Sequence, residues 1–193
     1  MSLDMAVLSD GELATLSLAG RQLAFAEIMH RYRQPIFRLI RASTGDAEEA
    51  LDLTQESFIS AHKALARYDP ERSMRAWLSI IAINKCRDWG RKRRVRRFLT
   101  LGVPLGVETD RIADDRVAID DAAADRQELA RVAKAIAALR PNLRETLVLR
   151  TIEGLSQSET ATILGISEKA VETRLYRARA QLEEATNRKL ADA

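Results

Sequence analysis

Residues 155–175 constrain this chain more than any other stretch. They read Leu155-Ser-Gln-Ser-Glu-Thr-Ala161-Thr-Ile-Leu-Gly165-Ile-Ser-Glu-Lys-Ala-Val171-Glu-Thr-Arg-Leu175. Ser156 is placed to cap a first helix, and Glu159, three residues on, completes a capping box. Ala161 is small where two helices must cross closely, and Gly165 permits a tight turn. Ile166, Val171 and Leu175 would anchor a second helix. This is the layout of a helix-turn-helix. The outer face of its second helix offers Lys169, Glu172, Thr173, Tyr176 and Arg177 to a major groove. Arg174 and Arg179 stand beside them for phosphates. An ordinary helical hairpin with a solvated charged face could carry the same residues, but two caps, the glycine and a basic second helix together favour DNA.

The remainder of the chain is punctuated in the same helical way. Asp10 is expected to cap a short helix through Leu13, Leu16 and Leu18, which ends at Gly20. A second stretch carries Leu23, Phe25, Ile28, Tyr32, Ile36 and Ile40, with Pro35 inside it expected to kink or restart the helix. Gly45 stops it. Asp46 caps a third helix running to about Leu65, whose core stripe is expected to be Ala47, Leu51, Thr54, Phe58, Ala61 and Leu65. A loop with a turn at Asp69-Pro70 leads to a fourth helix from Met74, capped by Ser73. Pro141 suits the first turn of a later helix. Aromatics make up only 5% of 193 residues, so the core is aliphatic and alanine-rich, and no alternating strand pattern appears. The fold class is therefore all-α.

Charge divides the chain. Residues 1–99 hold 17 Lys/Arg against 12 Asp/Glu, residues 100–127 hold 3 against 7, and residues 128–193 hold 11 against 9. Two basic blocks thus flank an acidic connector, broken by Gly102, Pro104 and Gly106. This gives two small helical domains, 8–99 and 126–190, joined by a flexible acidic linker, 100–125. The asymmetry points to a polyanionic partner.

Two surfaces of the N-terminal domain carry chemistry. The end of the fourth helix is dense in cations: Lys85, Arg87, Arg91, Lys92, Arg93, Arg94, Arg96 and Arg97, opposed only by Asp88. Upstream, Trp77, Ile81, Asn84, Asp88 and Arg91 share one stripe. An amide and a carboxylate can hydrogen-bond bases while arginines hold phosphates. On the third helix Asp52, Gln55, Glu56 and apolar Ile59 lie together, away from the core stripe. Acids there would repel DNA, so a protein partner fits that face better, although a plain solvated face has the same pattern.

Other function classes are excluded. Cys86 is the single cysteine, so there is no disulfide framework or Cys-rich zinc site. His30 and His62 add no third ligand, and no metal or cofactor is expected. No P-loop, nucleophile elbow or dinucleotide loop occurs, so the chain is not expected to be an enzyme. No apolar run approaches a membrane span, and no signal peptide precedes the first helix, which points to the cytoplasm.

Taken in order, three stretches resemble the extracytoplasmic-function (ECF) group of bacterial sigma factors. They are Asp52-Leu-Thr-Gln-Glu-Ser-Phe58; Tyr68-Asp-Pro-Glu-Arg with Met74-Arg-Ala-Trp-Leu-Ser-Ile-Ile-Ala-Ile-Asn84; and Leu139-Arg-Pro, Gly154-Leu-Ser and Val171-Glu-Thr-Arg-Leu-Tyr-Arg-Ala-Arg179. The resemblance covers about residues 10–187. It implies that Asp52, Gln55, Glu56 and Ile59 bind core RNA polymerase. It implies that Tyr68, Asp69, Arg72 and Asn84 engage an unstacked base of a promoter's −10 element, with Lys85, Arg87, Asp88 and Arg91 on neighbouring DNA. The second helix of the helix-turn-helix would read the −35 element, and an anti-sigma factor would hold the protein inactive. Thr160 stands where the family usually has an aliphatic residue, so its helix is expected to pack less tightly. Two other readings stay open: a helix-turn-helix regulator acting without polymerase, and a sigma mimic that titrates an anti-sigma factor.

Overall fold

Short-range caps set where several helices of this chain begin. In the computed structural model, residues 4–101 and 121–191 are described, and among them the chain forms eight α-helices and no strand. Helix α1 (Asp10–Leu18) is capped by Ser9, one residue earlier than expected. The Ser9 hydroxyl accepts from the Glu12 N–H, while the Glu12 carboxylate accepts from the Ser9 N–H at 2.7 Å. A hydroxyl with Glu three residues on satisfies two helix-end donors, which a lone Asp10 could not. Asp10 is thereby free to tie α1 to α2 (Gln22–Thr44). Its carboxylate accepts from Tyr32 Oη at 2.5 Å and from Arg31 at 3.2 Å.

Pro35 does not restart α2, which is assigned as one helix from Gln22 to Thr44. Proline removes one hydrogen bond from the ladder. The flanking Ile28, Ile36, Leu39 and Ile40 are all buried, and their packing holds both halves to one core. Gly45 ends the helix at φ 74°, in the left-handed region. Asp46 then caps α3 (Ala47–Ala64) by accepting from the Glu48 and Glu49 N–H groups.

The buried face of α3 is Ala50, Leu53, Thr54, Ser57, Phe58 and Ala61. Ala47 and Leu51, expected on the core stripe, are exposed instead. Thr54, Phe58, Ala61 and Leu65 are buried as expected, and only the first turns differ, because Ala50 and Ser57 count as weak hydrophobes. Thr54 and Ser57 can be buried because their hydroxyls return hydrogen bonds to Ala50 and Leu53 carbonyls at 2.6 Å each.

After a 3-10 turn at Leu65–Arg67, helix α4 (Met74–Leu101) runs 28 residues. Met74, Leu78, Ala82 and Ile83 are buried against α2 and α3. Helix α5 (Asp121–Ala138) begins within the stretch expected to be linker. The rest of that acidic connector, 102–120, lies outside the described residues.

Helix α6 (Pro141–Leu147) has Pro141 in its first turn and continues into a π turn, Val148–Ile152. Helix α7 (Gln157–Leu164) and helix α8 (Glu168–Ala191) complete the chain. A small cluster of Leu139, Leu143, Leu147 and Ala178 joins α6 to α8. The larger cluster is built on α1–α4 and also takes in Val148, Leu149, Leu155, Ile163 and Leu164. The two lobes therefore share one apolar core. At its edge a Cβ added to Gly45 would come to 3.0 Å from the Ala137 Cβ, so a side chain there would crowd α5.

Thr160 is wholly buried in α7, and its hydroxyl finds no hydrogen-bond partner. Thr160→Val keeps the shape and removes an unsatisfied polar group. It is expected to raise unfolding stability by about 1–3 kcal/mol, read as a higher midpoint in urea with unchanged slope.

Candidate nucleic-acid interface

Helix α3 presents Leu51, Asp52, Gln55, Glu56 and Ile59 to solvent together. Leu51 is 47% exposed and Ile59 55%, so two aliphatic side chains flank an acidic pair. Leu51 was missed in the sequence, where it was assigned to the core. The spacing 51, 55, 59 on the same face as 52 and 56 was the available signal. Glu56 also accepts an ion pair from Lys85 of α4 at 3.2 Å, which joins this face to the cationic one.

The loop before α4 is held by its own side chains. The Tyr68 ring is buried and lies 5.3 Å from that of Trp77, with its hydroxyl donating to the Arg72 carbonyl at 2.7 Å. Burial pushes the Tyr68 phenol's pKa up. Asp69 accepts from the Glu71 N–H at 3.1 Å and pairs with Arg72 at 3.3 Å. Tyr68 thus fixes the loop while Asp69 and Arg72 stay exposed.

Along α4 the stripe grades from packing to surface. Trp77 and Ile81 are half-buried, and Asn84, Asp88 and Arg91 are exposed. Arg91 is paired with Asp88. Arg93 stacks over the Trp89 ring, 5.1 Å from its centroid. Cys86 is half-buried beside them, and burial pushes its thiol up to about 12 despite a hydrogen bond with Ser43. It stays protonated and acts as a small core residue.

The helix-turn-helix forms as its spacing requires. Ser156 caps α7, accepting from the Glu159 N–H at 3.1 Å, and Glu159 accepts from the Ser156 N–H at 2.7 Å. These hydrogen bonds hold the Glu159 carboxyl below its ordinary pKa. Gly165 turns the chain at φ 66°. Val171 is buried, with Ile166 and Leu175 half-buried behind it. Lys169, Glu172, Thr173, Tyr176, Arg177 and Arg179 are exposed on α8, Tyr176 by 76%, and Arg174 is half-buried. Lys169 and Glu172 form an ion pair at 2.8 Å.

Residues 28–96 match the family model for sigma-70 region 2, and residues 129–182 that for sigma-70 region 4. The RNA polymerase sigma factor CnrH of Cupriavidus metallidurans is 40% identical over 176 residues, covering 90% of this chain and 92% of that protein. The ECF RNA polymerase sigma factor SigM of Mycobacterium tuberculosis is 30% identical over 174 residues, covering 90% and 83%. This chain is an ECF RNA polymerase sigma factor. A solved structure of CnrH in complex with the cytosolic domain of CnrY matches this sigma factor with a TM-score of 0.70, 35% identity, and coverage of 95% and 99%.

The sigma factor also carries polar contacts that sequence reasoning did not find. Arg87 of α4 grips Glu145 of α6 through two hydrogen bonds, 2.8 and 2.7 Å. The Glu145 carboxylate raises the Arg87 pKa further. Arg75 of α4 donates to the Glu153 carboxylate at 2.7 Å and to its backbone carbonyl at 2.6 Å, and Arg38 of α2 reaches the same carboxylate at 3.4 Å. The π turn delivers Glu153 to them. Its N–H bonds back five residues to Val148, so the chain carries one extra residue in that turn. Nothing in local spacing signals pairs 58 and 78 residues apart.

Removing the cap of α7 tests the helix-turn-helix alone. Ser156→Ala is expected to cost about 0.5–2 kcal/mol in chemical denaturation. Because the Glu159 pKa is lowered in the fold, its stabilisation is present above the ordinary carboxylate value and lost as pH falls through the lowered one. The variant should therefore lose less stability than the parent on acidification below about pH 4.

Proposed function

We propose that this sigma factor recruits core RNA polymerase through the exposed face of α3 and opens promoters through α4 and the loop before it. The observation that carries this reading is the join between the two surfaces. An acidic face edged by Leu51 and Ile59 sits one helix away from a cationic face, and Lys85–Glu56 bridges them. Carboxylates repel DNA, so Asp52, Gln55, Glu56, Leu51 and Ile59 suit a protein surface. The neighbouring helix suits a single strand. Asn84 supplies an amide that can read a base edge, Asp69 and Arg72 frame the approach, and Tyr68 holds the loop in place. Lys85, Arg87 and Arg91 neutralise phosphates, and Asp88 orients Arg91.

In this reading a −10 base leaves the stack, at a cost of a few kcal/mol, and is captured where α4 meets the loop. Lys169, Glu172, Thr173, Tyr176 and Arg177 of α8 read the −35 element in the major groove while Arg174 and Arg179 touch its backbone. The work takes place in the cytoplasm. Among the described residues no helix is long and apolar enough to cross a membrane. CnrH has been solved in complex with the cytosolic domain of CnrY, and this sigma factor is proposed to be held likewise by a protein partner that acts as its anti-sigma factor. A regulator acting without polymerase would leave the α3 face unused, and a sigma mimic would have no need of the exposed α8 face or the arginine run. Run-off transcription with core polymerase separates these alternatives.

Reversing the charge on α3, with Asp52→Arg and Glu56→Arg together, is expected to weaken core-polymerase binding at least tenfold, or about 1.4 kcal/mol. The melting curve should hold, since both side chains are exposed. Unchanged pull-down with polymerase would remove the α3 assignment.

Asn84→Ala is expected to lower permanganate-reactive open complex more than closed-complex binding, because the amide acts only once the base is out. Pre-melted templates should recover much of the loss. Normal opening, or equal impairment on pre-melted DNA of any sequence, would end the base-pocket assignment.

A further inference from the structure

We propose that the free sigma factor latches itself shut, with Glu145 and Glu153 of the C-terminal lobe holding arginines of the N-terminal lobe and withholding Arg87 from DNA. Both acids are 5% exposed. Both come from the C-terminal lobe, and Arg38, Arg75 and Arg87 all come from the N-terminal lobe. A carboxylate that deep is costly unless it is paired and hydrogen-bonded, so docking in any other register would strand two charges. The apolar core shared across the lobes supplies attraction, and the ion pairs select one closed arrangement.

The latch bears on function because Arg87 is used twice. This rests on the assignment of Arg87 to the −10 backbone made above. A guanidinium fork grips a carboxylate or a phosphate in the same two-pronged way, and it cannot grip both at once. Closed, Arg87 spends two of its donors on Glu145. Geometry adds a second bar. Promoter elements centred at −10 and −35 are separated by roughly 85 Å at 3.4 Å per base pair, and lobes that share a core cannot span that distance. Opening must therefore precede engagement of both elements. A phosphate arriving at Arg87, or a partner that separates the lobes, releases the latch. The device makes the free protein a poor DNA binder without any inhibitor.

The test compares the full chain with Glu145→Gln/Glu153→Gln by small-angle scattering and by binding of a mixed-sequence single-stranded 12-mer. The parent should scatter near the radius of gyration of about 16 Å expected for a compact chain of this length. The variant should exceed about 20 Å at equal helix content and bind the oligonucleotide about 5–10-fold more tightly. Adding Arg87→Ala to the open variant should remove most of that gain. A parent that is already extended, or a variant that stays compact, overturns the latch while leaving the DNA role of Arg87 standing. An extended variant with unchanged affinity overturns the competition. If Arg87→Ala is then also silent, the DNA assignment of Arg87 falls with it. Should the double variant lose helix content, Glu145→Gln alone is read by the same two criteria.

Discussion

The packing of α2, α3 and α4 on one aliphatic core is the constraint from which the rest of this molecule follows. Ile28, Ile36, Leu39, Ile40, Leu65, Met74, Leu78 and Ile83 are all but sealed from solvent. Burying one stripe of α3 decides that Leu51, Asp52, Gln55, Glu56 and Ile59 look outward. Burying the first half of α4 decides that Asn84, Asp88 and Arg91 emerge at the surface where that helix leaves the core. The faces proposed for polymerase and DNA are thus the complements of the buried ones. Their rigidity comes from side chains packed inside the core.

Buried polar groups differ in consequence according to where their partners lie. Thr54 and Ser57 fold their hydroxyls back on their own helix and cost little. Thr160 has no such outlet and marks a weak point in α7. Glu145 and Glu153 are buried and paired with arginines of the other lobe. The same class of group is therefore neutral, destabilising or directional according to where its partner lies. Charged pairs buried between lobes constrain register more than they add stability, which suits a joint that has to open.

Much of the local structure was legible because it is written in short spacings. The capping box at Ser156 and Glu159, the turns at Gly45 and Gly165, the Asp46 cap and the Pro141 start all depend on residues within four positions of one another. The structure departs from local expectation for reasons that are equally local. Ser9 outcompetes Asp10 as a cap because only Ser9 has Glu12 at the right distance. Leu51 was drawn to the core stripe because its hydrophobicity outweighed the small residues Ala50 and Ser57, which pack better where helices approach closely. Pro35 is accommodated because core contacts on both sides of it outweigh one missing hydrogen bond.

The sequence by itself determined the helices, the helix-turn-helix and the separation of acidic from basic surfaces. These rest on periodicity, capping and charge, which act over one or two helical turns. Tertiary structure alone decided that Tyr68 is a buried loop anchor, that Lys85 links the α3 and α4 faces, and that Arg87 and Arg75 close on Glu145 and Glu153. Such contacts join residues tens of positions apart. Any arginine can pair with any glutamate, and only the packed core, by excluding water and fixing distance, selects which ones do.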